Sequence, residues 1–145
     1  MSTPYAYATT GKKARDEIIK VLRRFGCEQI GFMDDFQKHE VLLQFTHRGR
    51  QVQLNASAKG WAQIYLKEKP LQDRMRALEQ GHVAVNSILR DWIKGQVTAV
   101  ECGVLSFEAV FMPFMLASDG RPLLERVEEL LPKPTEPKVV SLPSR

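Results

Sequence analysis

Between Lys12 and Phe25 the apolar residues fall at Ala14, Ile18, Val21, Leu22 and Phe25. That spacing is close to the stripe of an amphipathic helix. Gly26 follows, where a left-handed residue commonly ends a helix. The opposite face carries Lys13, Asp16, Glu17, Lys20, Arg23 and Arg24. Three short strands are expected next, near residues 29–33, 40–46 and 51–56. In the third, Val52, Leu54 and Ala56 alternate with Gln51, Gln53 and Asn55, so one face points inward and one outward. Asp34-Asp35 reads as a turn, and His47-Arg48-Gly49-Arg50 reads as a hairpin tip with Gly49 free to take positive φ. Lys59-Gly60 breaks the sheet, and Trp61 to Leu66 fits either a fourth strand or a helical turn.

A long helical pattern opens at Pro70 and runs toward Glu101. Leu71, Met75, Leu78, His82, Val85, Leu89 and Trp92 share one stripe, and Gly81 and Gly95 are the places for a kink. Cys102-Gly103 ends it. Ser106 suits the N-cap of a short helix from Phe107 to Leu116, which Pro113 should bend or shorten. Asp119-Gly120 is a turn, and Pro122 starts a last short helix. The order is an N-terminal helix, a three-stranded antiparallel sheet, a long helix and two short C-terminal helices, which places the chain in the α+β class. Residues 1–11 read as a flexible arm, 12–131 as a single α+β domain, and 132–145 as a disordered Pro-rich tail.

Composition narrows the function classes. With 145 residues, 43% of them hydrophobic and 26% charged, the chain has the material for one core. The N-terminus shows no signal-peptide pattern. No run approaches the roughly 18 apolar residues of a membrane span, so no membrane partner is expected and a cytoplasmic location is. Cys27 and Cys102 form no C-x-x-C pair and, each in an apolar segment, read as buried free thiols. No phosphate-binding loop, dinucleotide fingerprint or nucleophile elbow occurs, so no cofactor is implied. His39, His47 and His82 stand isolated, and His82, on an apolar stripe, reads as a satisfied, partly buried histidine. Asp34, Asp35 and Glu40 make the only carboxylate cluster in the sheet region. The pattern reads as a polar turn rather than a magnesium site, so neither metal nor catalysis is expected.

Charge points to a binding role. The net charge is +4, with +4 in residues 1–60, +2 in 61–100 and −2 in 101–145. A surface for a polyanion therefore belongs in the first two thirds. The candidate nucleic-acid contacts are His47, Arg48 and Arg50 at the hairpin tip, Lys59 just past the strand that follows it, and Arg74 and Arg76 in the first turns of the long helix. A helix, a three-stranded sheet and a following helix is also the element order of the double-stranded RNA-binding domain. The basic cluster that opens that domain's last helix is not reproduced at Pro70-Leu71-Gln72-Asp73. Phe32, Phe45, Trp61 and Tyr65 could stack on bases, but their apolar surroundings favour core packing.

One further pattern spans most of the chain. Trp92-Ile93-Lys94-Gly95, Ala99-Val100-Glu101-Cys102-Gly103-Val104, Ser106-Phe107-Glu108 with Phe111, and Asp119-Gly120-Arg121 resemble a widespread family of phage and prophage proteins of uncharacterised activity. Arg24-Phe25-Gly26 and Phe45-Thr46-His47-Arg48-Gly49-Arg50 extend the resemblance, and Asn86-Ser87-Ile88-Leu89 departs from the family's usual W-R-A-L phrase. The same residues also have structural readings: Gly103 as a helix end, Phe107 and Phe111 as a core pair, Glu101 and Glu108 as caps for free amides. The resemblance implies a phage-type accessory protein working in the host cytoplasm. Two roles are expected of it: binding nucleic acid in DNA or RNA metabolism, or binding a host or phage protein so as to modulate a host enzyme or defence complex.

Overall fold

The computed structural model describes residues 2–134. It contains α1 (Lys12–Arg24), β1 (Glu28–Asp35), β2 (Glu40–His47), β3 (Arg50–Ser57), α2 (Ala58–Glu68), α3 (Arg74–Glu101), α4 (Phe107–Phe111), a 3-10 turn (Met112–Phe114) and α5 (Leu123–Leu130). The strands form one antiparallel sheet in the order β1-β2-β3. The register sets Phe32 opposite Leu43 and Leu43 opposite Leu54, so these residues share a face. That face also holds Val41, Phe45 and Val52, all fully buried, and is covered by α1 and α3. The other face, with Gly31, Met33, Gln44, Gln51 and Asn55, is exposed. The result is a two-layer α+β fold whose core lies between the sheet and the helices.

Local chemistry explains where the elements differ from the sequence reading. Trp61 to Leu66 lies in a helix, α2, because its first turn is capped twice. The Ser57 side chain accepts from the Gly60 N–H at 2.8 Å. The His39 carbonyl accepts from the Ala58 and Lys59 N–H groups at 2.9 and 3.2 Å. His39 sits at φ 53, a left-handed conformation that few non-glycine residues take. Here it delivers the carbonyl to the free amides of α2. Pro70 does not open the long helix. The Asp73 side chain accepts from the Met75 N–H at 3.1 Å, so α3 starts at Arg74 and Leu71 is left wholly exposed. Neither Gly81 nor Gly95 interrupts α3, which runs unbroken for 28 residues. A Cβ on Gly81 would stand 2.6 Å from the Ala58 carbonyl oxygen, so glycine there lets α3 lie directly against α2.

Asp34 and Asp35 are not a turn either. They are the last two residues of β1, and Asp35 pairs with Glu40 across a four-residue loop. The C-terminal part follows expectation more closely. Ser106 caps α4 by accepting from the Ala109 N–H at 3.0 Å, and the helix gives way to the 3-10 turn at Pro113. Phe107 and Phe111 are buried together, with ring centroids 4.9 Å apart. Glu101 does not cap; it pairs with Arg24 at 3.1 Å.

The segment read as a flexible arm is docked on α2 and α3. Thr3 is buried and donates from its N–H and hydroxyl to Glu68. The Trp61 indole N–H donates to the Pro4 carbonyl at 3.0 Å. The Gln80 amide donates to the Tyr5 and Ala8 carbonyls at 3.2 and 2.9 Å. Unpaired backbone carbonyls find partners on side chains more than 50 residues away, which composition alone does not reveal. Residues 135–145, most of the expected tail, lie outside the described residues.

Candidate nucleic-acid interface

The β2–β3 hairpin closes over two residues, because His47 pairs directly with Arg50. Arg48 and Gly49 both have positive φ, 49 and 80, which is the type I′ geometry that matches the twist of paired strands. Asn-Gly is the favoured pair at such a turn. An arginine held there costs about 1 kcal/mol of backbone strain. Arg48 and Arg50 are both exposed.

His47 has a different fate from its neighbours. It is the inward residue at the end of β2, 6% exposed. Its ring stacks on Phe25 at 4.6 Å and meets Phe107 at 4.4 Å, and Cys27 Sγ lies 3.7 Å from Nδ1. Burial, with the Arg48 charge adding to it, holds its pKa below the ordinary 6.5. His47 is therefore a core residue and not a phosphate contact, which corrects its sequence assignment. The period of two that makes Val41, Leu43 and Phe45 inward makes His47 inward as well.

The aromatic stack ties the hairpin tip to the end of α1. Phe25 follows Arg24 directly, so the last turn of α1, with Arg23 and Arg24, lies at the same end of the molecule as Arg48 and Arg50. Beside Arg48 and Arg50 is a groove of about 320 Å³ floored by Phe25, His47 and Phe107 and walled by those two arginines and Glu108. Arg24 is paired with Glu101. Arg23, Arg48 and Arg50 form no ion pair among the described residues.

The other sequence candidates lie elsewhere. Lys59 follows the far end of β3, and the eight residues from Arg50 to Ser57 put roughly 23 Å between it and the tip. It lines a second groove, of about 550 Å³, with Lys67 and Arg74 around Ile64, Leu66 and Leu78. Arg76 is exposed in the first turn of α3. The six expected contacts therefore divide into a tip pair, a buried histidine and a distant group at the α2–α3 end.

A polar network that the sequence did not announce occupies a groove of about 490 Å³ between α1, β1 and α3. Asp34 accepts from Arg15 Nη2 at 2.9 Å and faces His82 Nδ1 at 3.3 Å. His82 Nε2 in turn lies 3.4 Å from His39 Nδ1. Arg15 Nε donates to Asn86 Oδ1 at 2.8 Å. A His82 that donates to Asp34 from Nδ1 keeps Nε2 free to accept from His39. The histidines are thus not isolated, although His82 is buried and satisfied as expected. No Ser, Thr or Cys lines this groove, and no cluster of three or more His, Cys, Asp or Glu suited to a metal occurs among the described residues. One signal was available: Asp34 shares the parity of Ile30 and Phe32, so it faces inward and needs partners.

No protein-family model matches the chain, and neither does any curated protein or solved structure. No helix of the described residues is long and apolar enough to cross a membrane.

Proposed function

We propose that the chain is a non-enzymatic accessory protein that binds nucleic acid with its hairpin-tip end. The observation that carries this reading is Arg48: an exposed guanidinium without an ion-pair partner among the described residues, at a turn position where its backbone is strained. Neither packing nor turn formation calls for arginine there, whereas phosphate recognition does. Arg50 and Arg23 add to the same positive end, and Phe25, half-buried in the groove beside Arg48 and Arg50, is the one ring of its floor within reach of an unpaired base. Glu108 at the groove rim keeps this surface from being a uniform field, in keeping with a localised contact rather than wrapping of a long duplex. In the phage setting implied by the family resemblance, the role is in viral DNA or RNA metabolism inside the host cytoplasm.

The test is a salt titration of oligonucleotide binding, single- and double-stranded, by the native protein and by Arg48→Ala/Arg50→Ala. Each lost phosphate contact should flatten the slope of log affinity against log salt by about 0.7–0.9. Arg48→Asn should lower affinity while stabilising the turn by about 0.5–1 kcal/mol. An unchanged slope removes the tip from the interface, and absence of binding by the native protein at low salt removes the reading. The second reading, a protein partner, is favoured by the exposed apolar residues of α5, and it predicts a complex whose stability depends little on salt.

A further inference from the structure

α5 and the α2–α3 groove are complementary surfaces, and neither is covered within the described chain. α5 buries no residue: Leu124 is 39% exposed, Val127 40% and Leu130 83%. It rests on the 3-10 turn, which the antiparallel bridge between Val52 and Met115 ties to the edge of β3 near the hairpin tip. The α2–α3 groove lies at the opposite end of the sheet, so α5 cannot fill the groove of its own chain without leaving that turn. The groove presents Ile64, 56% exposed, over Leu66 and Leu78, with Lys59, Lys67 and Arg74 around it. None of these three cations forms an ion pair among the described residues, and Glu68, the one carboxylate of α2, is engaged by Thr3.

We propose that this groove receives α5 of a second copy of the chain. Charge selects the occupant. The groove offers three cations around an apolar strip. α5 offers Glu125, Glu128 and Glu129 beside its own apolar strip, and its single cation, Arg126, is held by Asp119 at 2.7 Å. Glu125 is only loosely engaged, 3.8 Å from Arg121. Length agrees too: eight helical residues span about 12 Å, within the roughly 16 Å of α2. Two different patches meet, so two copies can exchange α5 reciprocally about a twofold axis and close as a dimer, or pass it head to tail into a ring or filament. Lys59 and Arg74 then serve self-association, separate from the hairpin tip.

Sedimentation velocity over a range of protein concentrations at low salt tests this. The native chain should associate reversibly, as a closed dimer or as larger species. Lys59→Glu/Lys67→Glu/Arg74→Glu and, separately, Glu125→Lys/Glu128→Lys/Glu129→Lys should each weaken association by about 100-fold or more, because like charges then face each other. The chain carrying all six changes should associate again, a rescue that a misfolded variant cannot show. Arg48→Ala/Arg50→Ala should associate like the native protein, so failure of the nucleic-acid reading leaves this result intact. A chain that stays monomeric throughout, or association unaffected by either triple reversal, overturns the proposal.

Discussion

Replacing Gly81 with alanine should destabilise the protein, although it replaces a poor helix former with the best one in the middle of a long helix. Propensity alone gains about 1 kcal/mol. Against that, the new methyl would stand 2.6 Å from the Ala58 carbonyl oxygen and 3.2 Å from its carbon. Both are backbone atoms, so no side-chain rotation relieves the overlap. Reaching the 3.4 Å at which ordinary contact begins means moving α2 and α3 apart by roughly 0.8 Å. A gap of that size forfeits about a quarter to a half of the dispersion attraction along the seam, where Ala62 and Leu78 are buried. Overpacking of this kind costs about 2–3 kcal/mol. The net effect is a loss of about 1–2 kcal/mol, or a fall in Tm of about 3 °C per kcal/mol. Gly95 lies in the same helix with nothing within 4 Å of its missing Cβ, so Gly95→Ala should gain about 1 kcal/mol. Urea denaturation of the two variants side by side separates contact from propensity. Stabilisation by Gly81→Ala would refute the direct α2–α3 contact, and destabilisation by Gly95→Ala would refute its open surroundings.

Two further outcomes follow from buried titratable groups. Burial lowers the folded pKa of His47 below the ordinary 6.5, so the unfolded chain binds its proton more readily and stability falls as pH drops through that range. His47→Phe keeps an aromatic ring against Phe25 and should flatten stability against pH between about 7 and 5; an unchanged profile would assign the dependence to other groups. Burial also pushes the Cys27 thiol up to about 11, while Cys102, expected to be buried, is exposed because it sits past the end of α3. An alkylating reagent near pH 8 should label Cys102 alone in the native protein, and rapid labelling of Cys27 would contradict its burial.

Local pattern determined much of this protein. The stripe of Ala14, Ile18, Val21 and Leu22 specifies α1, because helix period and burial are both written in a short window. Alternation in Gln51 to Ala56 specifies an inward and an outward face of β3, and Ser106 and Pro113 mark where α4 begins and ends. What tertiary structure alone decided are the pairings between distant segments. Asp34 meets Arg15 across 19 positions and His82 across 48, and Pro4 meets Trp61 across 57. Such partners leave no periodic trace, because a buried polar group requires a hydrogen-bond partner without specifying where in the chain it comes from. The same holds for charge. Arg50 and Lys59 lie nine positions apart, and the extended strand between them puts the two at opposite ends of the sheet, where only the tertiary structure shows which groove each one lines.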